Sequence, residues 1–287
     1  MLWFILSLLT ALSDAARNVF SKHALKDFDE YILAFVSKVF ALPFLLPLLL
    51  FVEVPVLDRV FWIALFAATL LNVFSAILFM RAIKLSPLSL SIPFVTFTPV
   101  FLLVTSPIML NEFPSLIGLS GILFVVLGSY LLNVQEMKKN VFEPFKILLR
   151  EKGSLLMLAV AFLWSITSNI DKIAVLHSNP ILYVIVFHLF SAVFLTPIAI
   201  VKSNNHVKQI PFSLKRLMPV GLFSALVLIF QMFAINIAIV PYVISVKRMT
   251  VLFSILFGFV FFREANVKSR LFGAFVMLLG TALMLLG

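Results

Sequence analysis

The chain has 287 residues, of which 63% are hydrophobic and 12% are charged, and its formal net charge is +10 at pH 7. Soluble domains are about half apolar and about a quarter charged, so this composition excludes an ordinary soluble fold and indicates an integral membrane protein. The absence of cysteine excludes disulfides and thiolate chemistry. We attribute the positive charge to loop lysines that face anionic lipid, because no soluble basic domain exists to bind nucleic acid.

Ten apolar segments have about the 20 residues that a helix needs to cross a bilayer. In chain order they are residues 2–23, 31–52, 60–82, 87–109, 114–133, 154–176, 181–201, 217–239, 241–262 and 267–286. The connections are short, except for a charged stretch over residues 135–153 that separates two groups of five segments. The first segment has no basic leading region, so it is predicted to be an uncleaved span instead of a signal peptide.

The two halves of the chain resemble each other at a nearly constant spacing. Pro47 and Pro197 occupy matching places 150 residues apart, and Glu112 matches Glu264 at a spacing of 152. Because each half has an odd number of spans, the second copy must cross the membrane in the opposite direction. Inverted repeats are common in transporters, which bind their substrates at the repeat interface. We therefore predict an all-α membrane protein of ten helices in two inverted five-helix repeats, residues 1–134 and 154–287.

Each half also ends in a similar run of residues. In the first half Pro99-Val100-Phe101 precedes Asn111-Glu112, Gly121 and Gly128, and in the second half Val251-Leu252-Phe253 precedes Arg263-Glu264, Gly273 and Gly280. This pattern resembles the EamA repeat of the drug/metabolite transporter (DMT) superfamily. The resemblance implies ten helices around a central cavity and alternating access without ATP. It leaves the substrate open, because members carry amino acids, nucleotide sugars, phosphorylated sugars and other metabolites.

Lys247 and Arg248 stand side by side inside the ninth span. A cation at the centre of a membrane helix costs about 2.5–3.5 kcal/mol on insertion scales, less if the helix lines a wet cavity or an anion pairs with the charge. On a continuous helix from Pro241 to Phe262 the two side chains would point about 100° apart, so at most one could face the cavity centre unless the helix is unwound. The pair is similar to one in the sugar-phosphate and nucleotide-sugar branch, where it helps to hold phosphate. We expect an anion-binding site here, with snorkelling toward Pro241 as the alternative.

Further polar residues inside the spans are candidate substrate ligands, because such groups usually face the bundle interior. Lys38 and His188 occupy matching places 150 residues apart, as a site at the repeat interface would require. A snorkelling lysine and a core histidine bonded to a carbonyl would explain them equally simply. Tyr242 and Gln231 lie near the Lys247 side of the bundle and could supply neutral hydrogen bonds.

Two carboxylates in or near the spans have a structural and a functional interpretation. Asp14 and Arg17 are three residues apart on the first helix, close enough to pair, and are candidates for coupling or gating. Glu112, at the end of a span, is predicted to accept from the free backbone N–H groups that open the next helix, and Glu264 is its repeat. The glycines that recur every seven residues in the last helix of each half predict close helix packing.

The leading interpretation is a multi-pass secondary transporter of the cell membrane that moves a small organic anion or a phosphorylated metabolite. An exporter of amino acids or other weakly charged metabolites is the alternative, and a channel is a third. An enzyme is not expected, because the HExxH, nucleophile-elbow and phosphate-loop motifs are absent. We expect no cofactor or metal, and no partner beyond the small-molecule substrate and the lipid bilayer. The sequence leaves open a monomer or a homodimer, and the loop charges and the family resemblance disagree about the membrane orientation.

Overall fold

The computed structural model describes residues 1–85, 92–136, 152–262 and 271–287. These residues form helices with short connections. Helices satisfy their own backbone hydrogen bonds, which a bilayer requires because its interior offers the backbone no hydrogen-bond partner. Six segments are long and apolar enough, by length and composition, to cross a membrane, and three further apolar helices are shorter. The first helix, which carries Asp14 and Arg17, completes a set of ten segments in the described part of the chain.

The first repeat contains the first five segments. They are α1 (Leu2–Ala24); α2 (Glu30–Val39), continued by α3 (Leu42–Leu45) and a 3₁₀ turn (Leu46–Phe51); α4 (Arg59–Leu85); a 3₁₀ turn (Ile92–Phe97) continued by α5 (Thr98–Leu110); and α6 (Leu116–Glu136). The α2 helix begins at a cap, because the Asp29 carboxylate accepts from the backbone N–H of Ile32 at 3.0 Å.

The second repeat contains the other five segments. They are α7 (Lys152–Leu176); α8 (Pro180–Val207); a 3₁₀ turn (Ile210–Ser213) continued by α9 (Leu214–Ile237); α10 (Val240–Lys247) with α11 (Thr250–Phe262); and α12 (Leu271–Leu286). Asn179 caps α8 by accepting from the N–H of Leu182 at 2.8 Å. It lies 150 residues after Asp29, so the repeats begin their second segments with equivalent caps.

Both ends of the predicted charged linker are helical. The α6 helix continues through Glu136 and α7 begins at Lys152, so two residues at each end of the predicted 135–153 stretch are helical. Residues 137–151 of that stretch lie outside the described residues, as does Glu264.

The last helices of the two repeats, α6 and α12, pack at their glycines. A Cβ added to Gly121 would lie 2.6 Å from the carbonyl oxygen of Gly280, and one added to Gly128 would lie 2.6 Å from that of Gly273. Exchanging the repeats converts one of these contacts into the other, because Gly121 matches Gly273 and Gly128 matches Gly280. The predicted close packing is therefore confirmed, and it occurs on the pseudo-twofold axis between the repeats.

The ninth segment is interrupted at its two cations, so the prediction of one continuous helix over Pro241–Phe262 is wrong. The α10 helix ends at Lys247 and α11 begins at Thr250. The backbone N–H groups of Arg248 and Met249 donate to carbonyls three residues earlier, at 3.0 and 2.9 Å, which is the tighter 3₁₀ spacing. A 3₁₀ stretch inside a helix often marks a hinge or a functional site.

Candidate functional site

A polar cavity of about 240 Å³ lies between the two repeats, in the middle of the helical segments. Its walls come from both repeats, which is the arrangement expected of a binding site in an inverted-repeat transporter. Seven titratable side chains line it: Asp14, Arg17, Lys38, Asp171, His188, Lys247 and Arg248. With the histidine neutral, four cations and two carboxylates give the wall a formal charge of 4 − 2 = +2.

The cavity continues toward one end of the bundle. A neighbouring void shares Lys38 and Trp164 with it and extends along α2 and α4. A further void shares Arg17 and reaches Leu25 and Glu30, which flank the connection between α1 and α2. These voids lie between the cavity and the bundle end at which α1 finishes and α2 starts.

At the opposite end, an ion pair joins the two repeats. Lys172 of α7 pairs with Glu112 after α5 and also donates to the carbonyl of Ala238 at 2.7 Å. The second oxygen of Glu112 accepts from the backbone N–H of Val240 at 2.7 Å. Glu112 thus accepts from a free N–H at a helix start, but the helix is α10 of the other repeat and not the next helix in the chain. Four chain segments meet at this closed end.

The break in the ninth segment brings both of its cations to the cavity. Lys247 and Arg248 both line the cavity, whereas on a continuous helix at most one of them could face its centre. The ammonium of Lys247 donates to the side-chain oxygen of Gln231 at 2.6 Å. The Nε atom of Arg248 is buried and has no hydrogen-bond partner among the described residues, so this donor is unsatisfied.

The break is held in place by Thr250. Its hydroxyl lies 2.7 Å from the carbonyl oxygen of Lys247 and 3.2 Å from the carboxylate of Asp14. Asp14 forms the predicted ion pair with Arg17, at 2.5 Å. The α1 helix therefore contributes one anion and one cation to the cavity and contacts the interruption of the ninth segment directly.

Lys38 and His188 line the cavity from α2 and α8. The Lys38 ammonium lies 5.0 Å from the centroid of the Phe187 ring, in a cation–π contact. The Nδ1 atom of His188 bonds to the carbonyl oxygen of Val184 at 2.8 Å, so Nδ1 carries the hydrogen. Its Nε2 atom is buried without a partner in the described part of the chain, and in the neutral ring this nitrogen is an acceptor.

Tyr242 is not part of this cavity. Its hydroxyl bonds to the backbone N–H of Ser115 at 3.2 Å, and its ring packs on Trp3 at 5.8 Å between centroids. A Cβ on Gly118 would collide with the same hydroxyl. Of the predicted substrate ligands, the structure brings Lys247, Arg248, Lys38, His188 and Gln231 together and places Tyr242 at a contact between helix ends.

Asp171 is the principal residue that the sequence interpretation missed. It lines the cavity from α7, and one of its oxygens accepts from the Tyr183 hydroxyl at 2.5 Å. A carboxylate inside an apolar span is the signal that could have identified it, as it identified Asp14. Further polar lining residues are Asn72, Thr98, Thr167, Ser168 and Ser224.

The described helices, connected in two groups of five around a charged internal cavity, define a polytopic membrane protein of the transporter class. The sequence profile of the EamA-like transporter family matches residues 1–134 and 151–286. The chain belongs to this family, a member of the DMT superfamily, so the predicted family and two-repeat helical fold are confirmed.

One solved crystal structure superposes with a TM-score of 0.75, covering 99% of this chain and 97% of that chain at 16% sequence identity. This likeness supports the fold alone. No curated protein shows significant sequence similarity to the chain.

Proposed function

We propose that this membrane transporter is a secondary transporter of the cell membrane that moves a small organic anion or a phosphorylated metabolite by alternating access. The anion binds in the cavity between the repeats, at Lys247 and Arg248, with Lys38 and Gln231 alongside. Neutral His188 accepts a hydrogen bond from a hydroxyl or protonated group on the same molecule.

The observation that carries this proposal is the interruption of the ninth segment at two adjacent cations. A buried guanidinium needs hydrogen-bond partners, and the Nε atom of Arg248 has none among the described residues. A guanidinium presents a planar fork that fits phosphate and carboxylate oxygens, and an ammonium adds a flexible point charge. The formal charge of +2 on the wall supports an anionic guest.

A thermal-shift screen of the purified protein tests the substrate class. Phosphorylated and carboxylated metabolites are compared with amino acids and neutral sugars, because a ligand of the folded state raises the melting temperature. We expect phosphorylated compounds to stabilise the protein most, by about 2.7 kcal/mol at 100 times the dissociation constant.

The variants Lys247→Gln and Arg248→Gln test the site. Each removes charged hydrogen bonds worth about 1.5–3 kcal/mol, so the affinity for the stabilising anion should fall about ten- to hundredfold. Arg59→Gln is the matched control, because Arg59 is exposed and lies outside the cavity. Unchanged anion uptake into proteoliposomes by both cavity variants contradicts the anion site.

An exporter of amino acids or other weakly charged metabolites is the second candidate. The two carboxylates on the cavity wall favour it, because Asp14 or Asp171 could bind an ammonium group. Stabilisation by amino acids but not by phosphorylated compounds would select this candidate. Saturable counterflow of the preloaded solute distinguishes either transporter from a channel.

A further inference from the structure

We infer that Asp171 is the proton carrier of the transport cycle. It takes up one proton when an anion binds in the cavity and releases that proton when the anion leaves. The proton comes from a hydronium ion of the solvent: one O–H bond of that ion breaks, one O–H bond forms on a carboxylate oxygen of Asp171, and a water molecule is left. This inference rests on the proposed function, because the anion is what changes the charge around Asp171.

The two carboxylates of the cavity have different surroundings. Asp14 forms an ion pair with the Arg17 guanidinium and accepts a hydrogen bond from the Thr250 hydroxyl, so its negative charge is balanced in every step that leaves these contacts intact. Asp171 accepts from a neutral phenol, that of Tyr183, and forms no ion pair within the described residues. Carboxylates in such different environments take different protonation roles.

The wall behind Asp171 is apolar. Asp171 is 7% exposed and Tyr183 is fully buried. Tyr183 belongs to the largest hydrophobic cluster of the described residues, together with Ala174, Val175 and Val184. One face of the carboxylate therefore sees a dry surface and the other sees the cavity, where water and a substrate have access.

Asp171 shares the cavity with positive side chains. Lys247 of α10 and Lys38 of α2 line the same cavity as Asp171, so their positive charges attract a carboxylate there. The other ionisable groups on the cavity wall are Asp14 and Arg17 of α1, His188 of α8 and Arg248 after α10. On α7 itself, the neighbouring Lys172 is paired with Glu112 at the closed end.

An anion that contacts Lys247 and Lys38 cancels this positive potential and adds a negative charge of its own. Both effects disfavour the ionised form of Asp171, so binding draws a proton from water. By linkage, protonation must tighten anion binding by the same factor. The affinity should fall up to about tenfold for each unit of rising pH when one proton is taken up, and a proton gradient then drives the anion in the direction of proton flow.

Calorimetry of the full-length protein in lipid nanodiscs tests this, with glycerol 3-phosphate as the probe. Titrations in buffers of different protonation enthalpy give the number of protons taken up for each bound anion. We expect about one more proton for the wild-type protein than for Asp171→Asn. The same difference should be found with inorganic sulfate, which has no proton to exchange near neutral pH, so the proton is then held on the protein and not on the probe. Asp171→Asn should still bind the probe, with a weaker pH dependence than the wild type.

The Tyr183→Phe variant separates a proton carrier from a structural carboxylate. It keeps the acid but removes the hydrogen bond to the ionised form, so proton uptake should persist and extend to higher pH. A structural role for the Tyr183–Asp171 bond predicts loss of folded protein without any change in the proton count. Equal proton uptake by the wild type and Asp171→Asn overturns the inference.

Failure of glycerol 3-phosphate to bind would count against the proposed function. In that case a measurement without substrate still tests the role of Asp171. Infrared titration of the substrate-free protein records the carbonyl band of protonated carboxylic acids as the pH is lowered, and the wild type should show one more such group than Asp171→Asn. If the two titrations are identical, Asp171 does not exchange protons and is not the carrier, whatever the substrate.

Discussion

Replacing Glu112 by glutamine removes the charge from the contact that joins the repeats at the closed end. The side chains of Glu112 and Lys172 are only 10% and 11% exposed. In Glu112→Gln the amide oxygen can still accept from the backbone N–H of Val240. The Lys172 ammonium then loses its anionic partner and keeps only its hydrogen bond to the Ala238 carbonyl. Breaking a buried ion pair costs about 3–5 kcal/mol, and we expect the lower value here because part of each side chain is exposed. Unfolding should become more favourable by about 3 kcal/mol, which is roughly a hundredfold in the equilibrium constant.

The double variant Glu112→Gln with Lys172→Met should recover most of this loss. It removes the stranded charge, and neutral replacements of a buried pair are often as stable as the pair itself. The free energy of unfolding is measured in a denaturing detergent by tryptophan fluorescence. The matched control is the pair Arg216–Asp27, whose side chains are 50% and 46% exposed and which should contribute at most about 1 kcal/mol. Additive losses in the double variant, or an equal loss at the control pair, would refute the reasoning.

Three further predictions use contacts elsewhere in the fold. Gly121→Ala should lower the free energy of unfolding by about 1–3 kcal/mol, because its Cβ would meet the Gly280 carbonyl oxygen at 2.6 Å. Leu127→Ala, at a half-exposed position, is the control. Equal stability of the two variants would argue against the close contact. Thr250→Val should weaken anion binding about two- to tenfold through one lost hydrogen bond, whereas Thr250→Ser should bind normally; equal affinities would mean that Thr250 does not hold the break. The backbone N–H of Phe61, at 2.8 Å, holds the pKa of Asp58 below its ordinary value, so this stabilisation is present above the ordinary pKa and is lost as the pH falls through the lowered one. As the pH falls below about 4, the melting temperature should therefore decline more steeply for the wild type than for Asp58→Asn. The same decline in both proteins would contradict this.

The helices could be predicted from the sequence because each span consists mainly of apolar residues that suit the lipid interior. Twenty apolar residues in a row have few alternatives to a membrane helix, and the described boundaries fall near the predicted ones. The interruption at Lys247 and Arg248 could not be predicted in this way. No glycine or proline lies between Lys247 and Thr250 to break the helix, and the contact of Thr250 with Asp14 comes from a helix more than 230 residues away in the chain.

The partners of Glu112 and Asp171 were hidden for related reasons. Periodicity identifies neighbours on one helix, so Glu112 was assigned to the helix that follows it and not to the start of α10. Repeat symmetry does not point to Asp171 either. At the spacing of 150 residues Asp171 matches Ser21, which is not a charged residue. Symmetry identified Lys38 and His188, which line the cavity, but it cannot identify charges that occur in one repeat alone, so it is a good guide to the scaffold and an incomplete guide to the cavity wall.

The matches between the repeats support this distinction between the scaffold and the charged residues of the cavity. Thr250 bonds the carbonyl oxygen three residues before it at 2.7 Å, and Thr98, 152 residues earlier, does the same at 2.8 Å. The helix caps and the packed glycines are likewise equivalent, so both repeats retain the features that build a break and a bundle. The charges differ: Lys247 and Arg248 match Val95 and Thr96.

A cavity with symmetric charges would present similar groups to a substrate from both repeats. Here each repeat contributes two cations and one carboxylate, but at positions that do not match: Asp14, Arg17 and Lys38 come from the first repeat, and Asp171, Lys247 and Arg248 come from the second. A solute at the pseudo-twofold axis therefore meets differently placed charges on its two sides. Under the proposed function, the symmetric scaffold allows the two halves to exchange roles as the cavity opens to each side. The unmatched positions of the charges then favour one orientation of the proposed anion, and this is what a selective transporter of a small polar solute requires.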